Sequence, residues 1–269
     1  MTVERLAELR RLAALYRAFL VHRFKVLLEY RANFAIGVVS TVLVQAAGIA
    51  GIWVVLRQVG TLQGWRFEEL LLLYGLLVTS RSLEHMFADN LWTVGFQIQD
   101  GTFDRFLVRP VDPLFHLLAD RFNHDGLGNL LAGLAAVVHA WSVLGIPATA
   151  GNLVYAVVAV LSGGAIFVAL NLATATTAFW IVLSLPVTRA VHGLHEFARF
   201  PLTLYGKGIQ GVFTWLLPFG FASFYPASHL LGRDVGAVVW AGPGVAAVFS
   251  LAAYRFWLFG LRRYSGTGT

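Results

Sequence analysis

Four side chains able to carry charge or move protons sit inside one apolar run: Arg81, Glu84, His85 and Asp89. On a helix, Arg81 faces Glu84 at i+3 and His85 at i+4, and His85 faces Asp89 at i+4. One helical face is therefore polar where the sequence around it is not. Two chemistries fit this pattern. One is a wet seam along which a polar solute passes; the other is an internal ion pair that locks helices together. Each charge at the centre of a bilayer costs roughly 2.5–3.5 kcal/mol on insertion scales, so pairing Arg81 with Glu84 would offset part of that. Two further groups stand apart in sequence. Asp120, Arg121, His124 and Asp125 form one, and His192, His195 and Glu196 the other. His124 and Asp125 are adjacent and point apart on a helix. His192 and His195 can meet on one face, but the HExxH spacing of a zinc protease is missing. Both groups read as solvated interfacial residues, with no metal expected. Gly206-Lys207 lacks the earlier glycine and the following Ser/Thr of a phosphate-binding loop, and no GxSxG elbow occurs. No catalytic residue is therefore assigned, and the chain carries no recognisable motif for hydrolysing a nucleotide by itself.

The surrounding composition says what must position these residues. Of 269 residues, 58% are apolar and 13% charged, against about 25% charged in a soluble domain. Mean hydropathy is +0.70. There are no cysteines, which excludes a disulfide framework and thiolate chemistry. The net charge of +6 does not point to nucleic acid, because the bases collect at the ends of apolar segments rather than along one stripe. The first thirty residues interleave charge with apolar side chains, unlike a cleavable signal peptide.

The expected architecture is all-α, with six transmembrane helices. Residues 3–31 read as an interfacial amphipathic helix: Leu6, Leu9, Ala13, Tyr16 and Leu20 recur at 3–4 spacing, with arginines elsewhere on the wheel. The predicted spans are Asn33–Leu56, with Gln45 as its one strongly polar side chain; Leu70 toward Gln97; Leu127–Ile146; Leu153 to about Leu185; Ile209–Tyr225; and Ala237–Phe259, kinked at Gly242-Pro243-Gly244. Residues 186–208 are expected to form a polar basic loop, although the fifth span has an alternative start near Phe197. Residues 1–32 then make one unit, 33–260 the membrane domain and 261–269 a tail. Of the 20 Lys and Arg residues, Arg57, Arg66 and Arg233 fall on one side and Arg81 within a span; the rest lie on the side of the termini. That asymmetry orients both termini toward the cytoplasm of a multi-pass plasma-membrane protein.

Between the second and third spans lies Gln99–Phe115, QDGTFDRFLVRPVDPLF, the longest charged and turn-rich passage between two apolar regions. Gly101 and Pro110 leave room for about two helical turns over 101–109, with Phe103, Phe106 and Leu107 on one face. Phe103 and Phe106 suit a groove on a soluble partner, and Arg105 and Arg109 suit setting its register. Before the last span, Pro218, Tyr225, Pro226 and His229 belong to a broken passage that could dip back into the membrane. Backbone broken at that depth must be buried in protein or line water.

Taken together, these features resemble a permease of the ABC-2 exporter class. The match is most specific in Gly101-Thr102-Phe103-Asp104-Arg105-Phe106-Leu107-Val108-Arg109-Pro110-Val111-Asp112-Pro113 and in LLPFGFASFYPASHLLG, Leu216 to Gly232. The resemblance implies a separate ATP-binding subunit, in two copies, that holds ATP and Mg. It implies a coupling helix carrying Thr102, Phe103, Asp104, Arg105, Phe106 and Arg109, and a connecting helix at the N-terminus. A translocation path would pass Gln45, Arg81, Glu84, His85 and Asp89, with an outer gate at Pro218, Tyr225, Pro226 and His229. It also implies a second permease chain, identical or homologous, lipids as surroundings, and no cofactor or nucleic acid on this chain. Two other classes stay open on the residues alone: a membrane enzyme using the His/Asp/Glu groups, and a non-catalytic membrane scaffold.

Overall fold

The computed structural model describes residues 31–181 and 184–264. The expected amphipathic helix over 3–30 and the last residues of the tail lie outside the described residues. Among those described, helices dominate and no strand occurs beyond one isolated bridge, Leu62 with Trp65.

The first helix, α1 (Arg31–Val59), is apolar around its circumference and buries little of itself; only Ile52 and Leu56 are fully enclosed. A tight turn follows, in which Gly60, Gln63 and Gly64 take left-handed backbone conformations. The hub is α2 (Phe67–Phe87), whose residues 69–80 are buried without interruption. It packs most extensively on α6 (Asp125–Val143) and next on α7 (Ala150–Thr176), while α1 covers the outside of α6. The contact of α2 with α6 is close because both present glycine there. A Cβ on Gly133 would stand 2.8 Å from the Thr79 amide nitrogen, and one on Gly75 would stand 2.9 Å from that of Val137. Lipid supplies no hydrophobic drive between helices, so backbone-close packing of small residues supplies the contact instead. The last helix, α11 (Gly242–Leu261), lies along α7.

Among the described residues, four helices are long and apolar enough to cross a membrane: Arg31–Val59, Asp125–Val143, Ala150–Phe179 and Gly242–Leu261. They match the first, third, fourth and sixth predicted spans. The second, α2, has 21 residues, about 31 Å at 1.5 Å per residue, but carries Glu68, Glu69, Arg81 and Glu84. It ends at Phe87, well before Gln97; a 3₁₀ turn Asp89–Thr93 and a short α3 (Val94–Gln99) complete that passage.

Two boundaries differ from expectation because a proline starts a helix there. Pro186 sits in the first turn of α8 (Leu185–Gly193) and Pro243 in the first turn of α11, where the missing N–H has no helical partner to lose. Residues 186–208 are therefore not a plain loop. They run through α8, a 3₁₀ turn Leu194–Arg199 and another at Leu202–Leu204. Then come α9 (Lys207–Gly211) and a π-helical turn Val212–Leu216. Likewise Gly242-Pro243-Gly244 opens the last helix and does not kink it.

Candidate functional site

The polar residues that lie far apart in sequence meet around α2. Arg81 Nη1 donates to His195 Nε2 at 2.9 Å. The His195 Nδ1–H turns back to the His192 carbonyl, so the ring is neutral when it accepts from Arg81. Glu196 approaches the same Nε2 at 3.0 Å and pairs with Arg199. One nitrogen serves Arg81 or Glu196, not both at once, which makes His195 a two-position contact. One turn further along α2, Glu84 is fully buried. Its Oε1 accepts from Trp92 Nε1 at 3.2 Å and from Asn171 Nδ2 on α7. His85 Nε2 lies 3.9 Å from Glu84 Oε2, and the Trp92 ring packs on His192 with centroids 4.6 Å apart.

On the other side of Arg81, the guanidinium of Arg199 lies 5.7 Å from the Tyr74 ring. Tyr74 Oη donates to Gln45 Oε1 at 2.5 Å, and Gln45 Nε2 donates to Asn129 Oδ1 at 2.6 Å. These groups line a cavity of about 220 Å³ between α1, α2, α6 and the 194–199 turn. Its walls mix Gln45, Tyr74, Arg81, Asn129, His195, Glu196 and Arg199 with Val44, Leu77 and Val78.

At one end of the bundle stands the 100–120 element. Gly101 takes φ +75°, a left-handed turn that glycine makes without strain. Thr102 Oγ1 donates to Asp100 Oδ1 at 2.6 Å and its backbone N–H at 3.0 Å; these bonds hold the Asp100 carboxyl below the usual carboxylate range. The helix that follows, α4 (Asp104–Leu107), is a single turn. Asp112 then caps α5 (Pro113–Asp120), accepting from the Phe115 amide at 2.9 Å. Phe103 is fully buried, its ring 5.6 Å from Phe179 at the end of α7, 6.1 Å from Trp257 on α11 and 5.3 Å from Tyr264. Tyr264 Oη donates to Asp104 Oδ1 at 2.8 Å, and burial together with Asp104 pushes its phenol up to about 12. Phe106 is equally enclosed, edge-on to His116 at 4.8 Å.

A family model described as ABC-2 family transporter protein matches residues 42–268, nearly all of the chain. The chain belongs to that family. No curated protein and no solved structure matches it.

In this ABC-2 permease the sequence-predicted path residues divide. Gln45 and Arg81 line the cavity, and Glu84 and His85 stand just behind it. Asp89 does not join them: it lies beyond the end of α2 and pairs with Arg121 at 3.4 Å, not with His85. Arg81 and Glu84 form no direct ion pair among the described residues, since Arg81 turns to His195 and Glu84 to Trp92 and Asn171. Tyr74, Trp92, Asn129, Asn171 and Arg199 were not singled out. Asn129 and Asn171 carry the same signal that exposed Gln45, a strongly polar side chain within an apolar span. No group of three or more His, Cys, Asp or Glu among the described residues converges as a metal site.

The permease's 101–109 segment also departs from expectation. Phe103 and Phe106 do not face a partner; both rings are buried within this chain. Leu107 does not share their buried face: it is exposed with Val108, at 39% and 81%. Arg105 Nη2 reaches Asp120 at 3.2 Å, and Arg109 Nη1 donates to His116 Nε2 at 2.9 Å.

Burial of His116, with that bond, predicts that the element responds to pH. Burial, then Arg109, hold His116 below its ordinary value of 6.5. The unfolded element takes up the proton first as pH falls, so stability is fully present above about pH 6.5 and lost below it. Hydrogen exchange of 103–116 should accelerate on acidification below pH 6.5, and His116→Gln should flatten that response.

The opposite end holds the gate candidates. Phe219 stacks on Phe167 at 5.2 Å, 17 residues into α7 and so about 26 Å from its start. The chain then runs through 219–222 and α10 (Phe224–Leu230) to His229. His229 packs between Tyr155 at 4.1 Å and Trp240 at 4.8 Å, near the start of α7. This leg thus returns from deep in the bundle to one end, in the manner of a re-entrant segment. Gly163 permits it, because a Cβ there would meet Ala222 and Ser80 Cβ atoms, each at 2.9 Å. Pro218 stands at the break, and the Tyr225 hydroxyl bonds Thr214 at 2.8 Å. Pro226 lines a separate apolar cavity of about 480 Å³. Arg233 ties the leg to the 60–66 turn, donating to Glu69 Oε2 at 2.9 Å and to the Gly64 carbonyl at 3.0 Å.

Proposed function

We propose that this chain is the membrane subunit of an ABC-2 exporter, forming a translocation path and taking its power from a separate ATP-binding subunit. One observation carries the reading: the Phe103 ring sits where the ends of α7 and α11 meet, against Phe179, Trp257 and Tyr264. A displacement of the 100–120 element therefore acts on both long helices at once. In this reading α2 and the broken 185–216 segment supply the second and fifth of six crossings. The termini and the 100–120 element then face the cytoplasm, where Arg31, Arg105, Arg109, Arg121, Arg255, Arg262 and Arg263 collect. Two ATP-binding subunits hold ATP and Mg, close on each other and push the element. A second permease chain completes the path, and the 218–230 leg serves as the outer gate.

The docking surface differs from the one the sequence points to. The buried Phe103 and Phe106 anchor the element to its own bundle, leaving Arg105, Leu107, Val108 and Arg109 to face the ATP-binding subunit. Val108→Asp is expected to weaken co-purification of the ATP-binding subunit on the order of tenfold, as loss of an exposed apolar anchor does. Insertion and thermal stability should stay unchanged. Undiminished co-purification with the variant would overturn this docking surface.

A further inference from the structure

We propose that the 220 Å³ cavity is a headgroup subsite for an amphiphile bearing a phosphate-like or carboxylate-like anion. The inference rests on reading the chain as a transporter and adds the class of its cargo. Two guanidiniums, Arg81 and Arg199, line the space against a single carboxylate, Glu196. Among the described residues, Arg81 has only a histidine as hydrogen-bonding partner and its buried Nε has none, and the buried Nε of Arg199 has none either. Guanidinium groups present paired N–H donors in a fork that matches phosphate and carboxylate oxygens, so unmet Nε–H groups beside one cavity call for such an acceptor. Glu196 does not meet the need. It contacts His195 and Arg199, and its side chain is 45% exposed at the rim. Neutral groups, the Gln45 amide and the Tyr74 hydroxyl, also line it.

Size and surroundings supply the second half of the ligand. The cavity falls below the roughly 300–1,000 Å³ of pockets that enclose a whole drug-sized molecule. It holds a headgroup and leaves the remainder outside. Val44 both lines the cavity and is exposed, and Ile36, Val39 and Leu43 continue an exposed apolar surface along α1 from it. A hydrocarbon tail leaving the mouth beside Val44 would run along that surface.

Binding to the purified full-length chain in neutral maltoside micelles tests this, read by tryptophan fluorescence during heating. Three probes are compared: decyl phosphate, inorganic phosphate and decyltrimethylammonium. Decyl phosphate is expected to raise the melting temperature by about 3 °C or more, and the other two by less than a third of that. Arg81→Gln and Arg199→Gln should each weaken the decyl phosphate effect on the order of tenfold. Should Arg81→Gln fail to fold, Arg199→Gln at the more exposed rim carries the test, with Val44→Asp blocking the tail's exit. Equal stabilisation by decyltrimethylammonium, equal stabilisation by inorganic phosphate, or unchanged affinity in the arginine variants would each overturn the proposal. The transporter reading fails separately: decyl phosphate would then bind as expected while ATP turnover of the complex with the ATP-binding subunit ignored this chain.

Discussion

Phe103→Ala is expected to separate ATP turnover from movement of the bundle. The ring touches Phe106, Phe179, Trp257 and Tyr264 and has no exposed surface. Its removal leaves a cavity where the 100–120 element meets the ends of both α7 and α11. Phe→Ala in such a place costs about 3–5 kcal/mol, because surrounding side chains collapse only in part. Thermal unfolding of the purified permease should shift down accordingly. The functional signature is distinct from the loss of stability. The ATP-binding subunit should still co-purify, since Leu107 and Val108 remain on the surface, while stimulation of ATP turnover by cargo disappears. Phe103→Leu, which refills most of the volume, should restore both. An alanine variant that stays fully coupled would show that force reaches the bundle by another route, with Arg105–Asp120 and Tyr264–Asp104 as the remaining ties.

How much of this could be read from the chain depends on the range of the interaction involved. Long apolar helices announce themselves locally, and α1 and α6 fall close to the predicted limits, while α7 ends at Thr176, short of the expected Leu185, and α11 opens at Gly242 rather than at Ala237. The 101–109 passage was legible as an element bounded by Gly101 and Pro110, but not in its orientation. The periodicity of Phe103 and Phe106 says that they share a face, and nothing in it says whether that face meets a partner or the chain's own helix ends. Pro186 and Pro243 misled because a proline's effect depends on which turn of a helix holds it. The broken fifth segment was least legible. Its helices are short and find different supports, α8 on α7, the 194–199 turn on α2 and the 219–222 turn, and Val212–Leu216 on the 219–222 turn, so no period has room to develop. The polar centre shows the same limit. Arg81 and Glu84 were visible as polar residues out of place, whereas His192 and His195 read as solvated interfacial residues and are buried; that Arg81 would turn to His195 and Glu84 to Asn171 is a property of how α2, α7 and the 194–199 turn pack.

That packing predicts the second large effect, at Asn171. Asn171 is fully buried, and its amide donates to Glu84 Oε1 from the neighbouring helix, while Glu84 Oε2 has no hydrogen-bond partner among the described residues. Asn171→Leu therefore leaves the Glu84 carboxyl dependent on Trp92 Nε1 alone, at 3.2 Å. A buried polar group stripped of a partner costs about 1–3 kcal/mol, and more when it is charged. Thermal unfolding should drop by the upper end of that range or beyond. The double variant Glu84→Leu with Asn171→Leu is expected to be less damaged than Asn171→Leu alone, since removing both partners of a buried polar contact leaves less unsatisfied than removing one. Only the Trp92 indole then loses its acceptor. A double-mutant cycle measures this directly: a coupling of about 1–3 kcal/mol is expected for residues in one buried network. Additive losses would mean that Glu84 is held chiefly by Trp92 and the field of Arg81, and that α2 and α7 are joined at this level by packing around Gly163 and Gly164 alone.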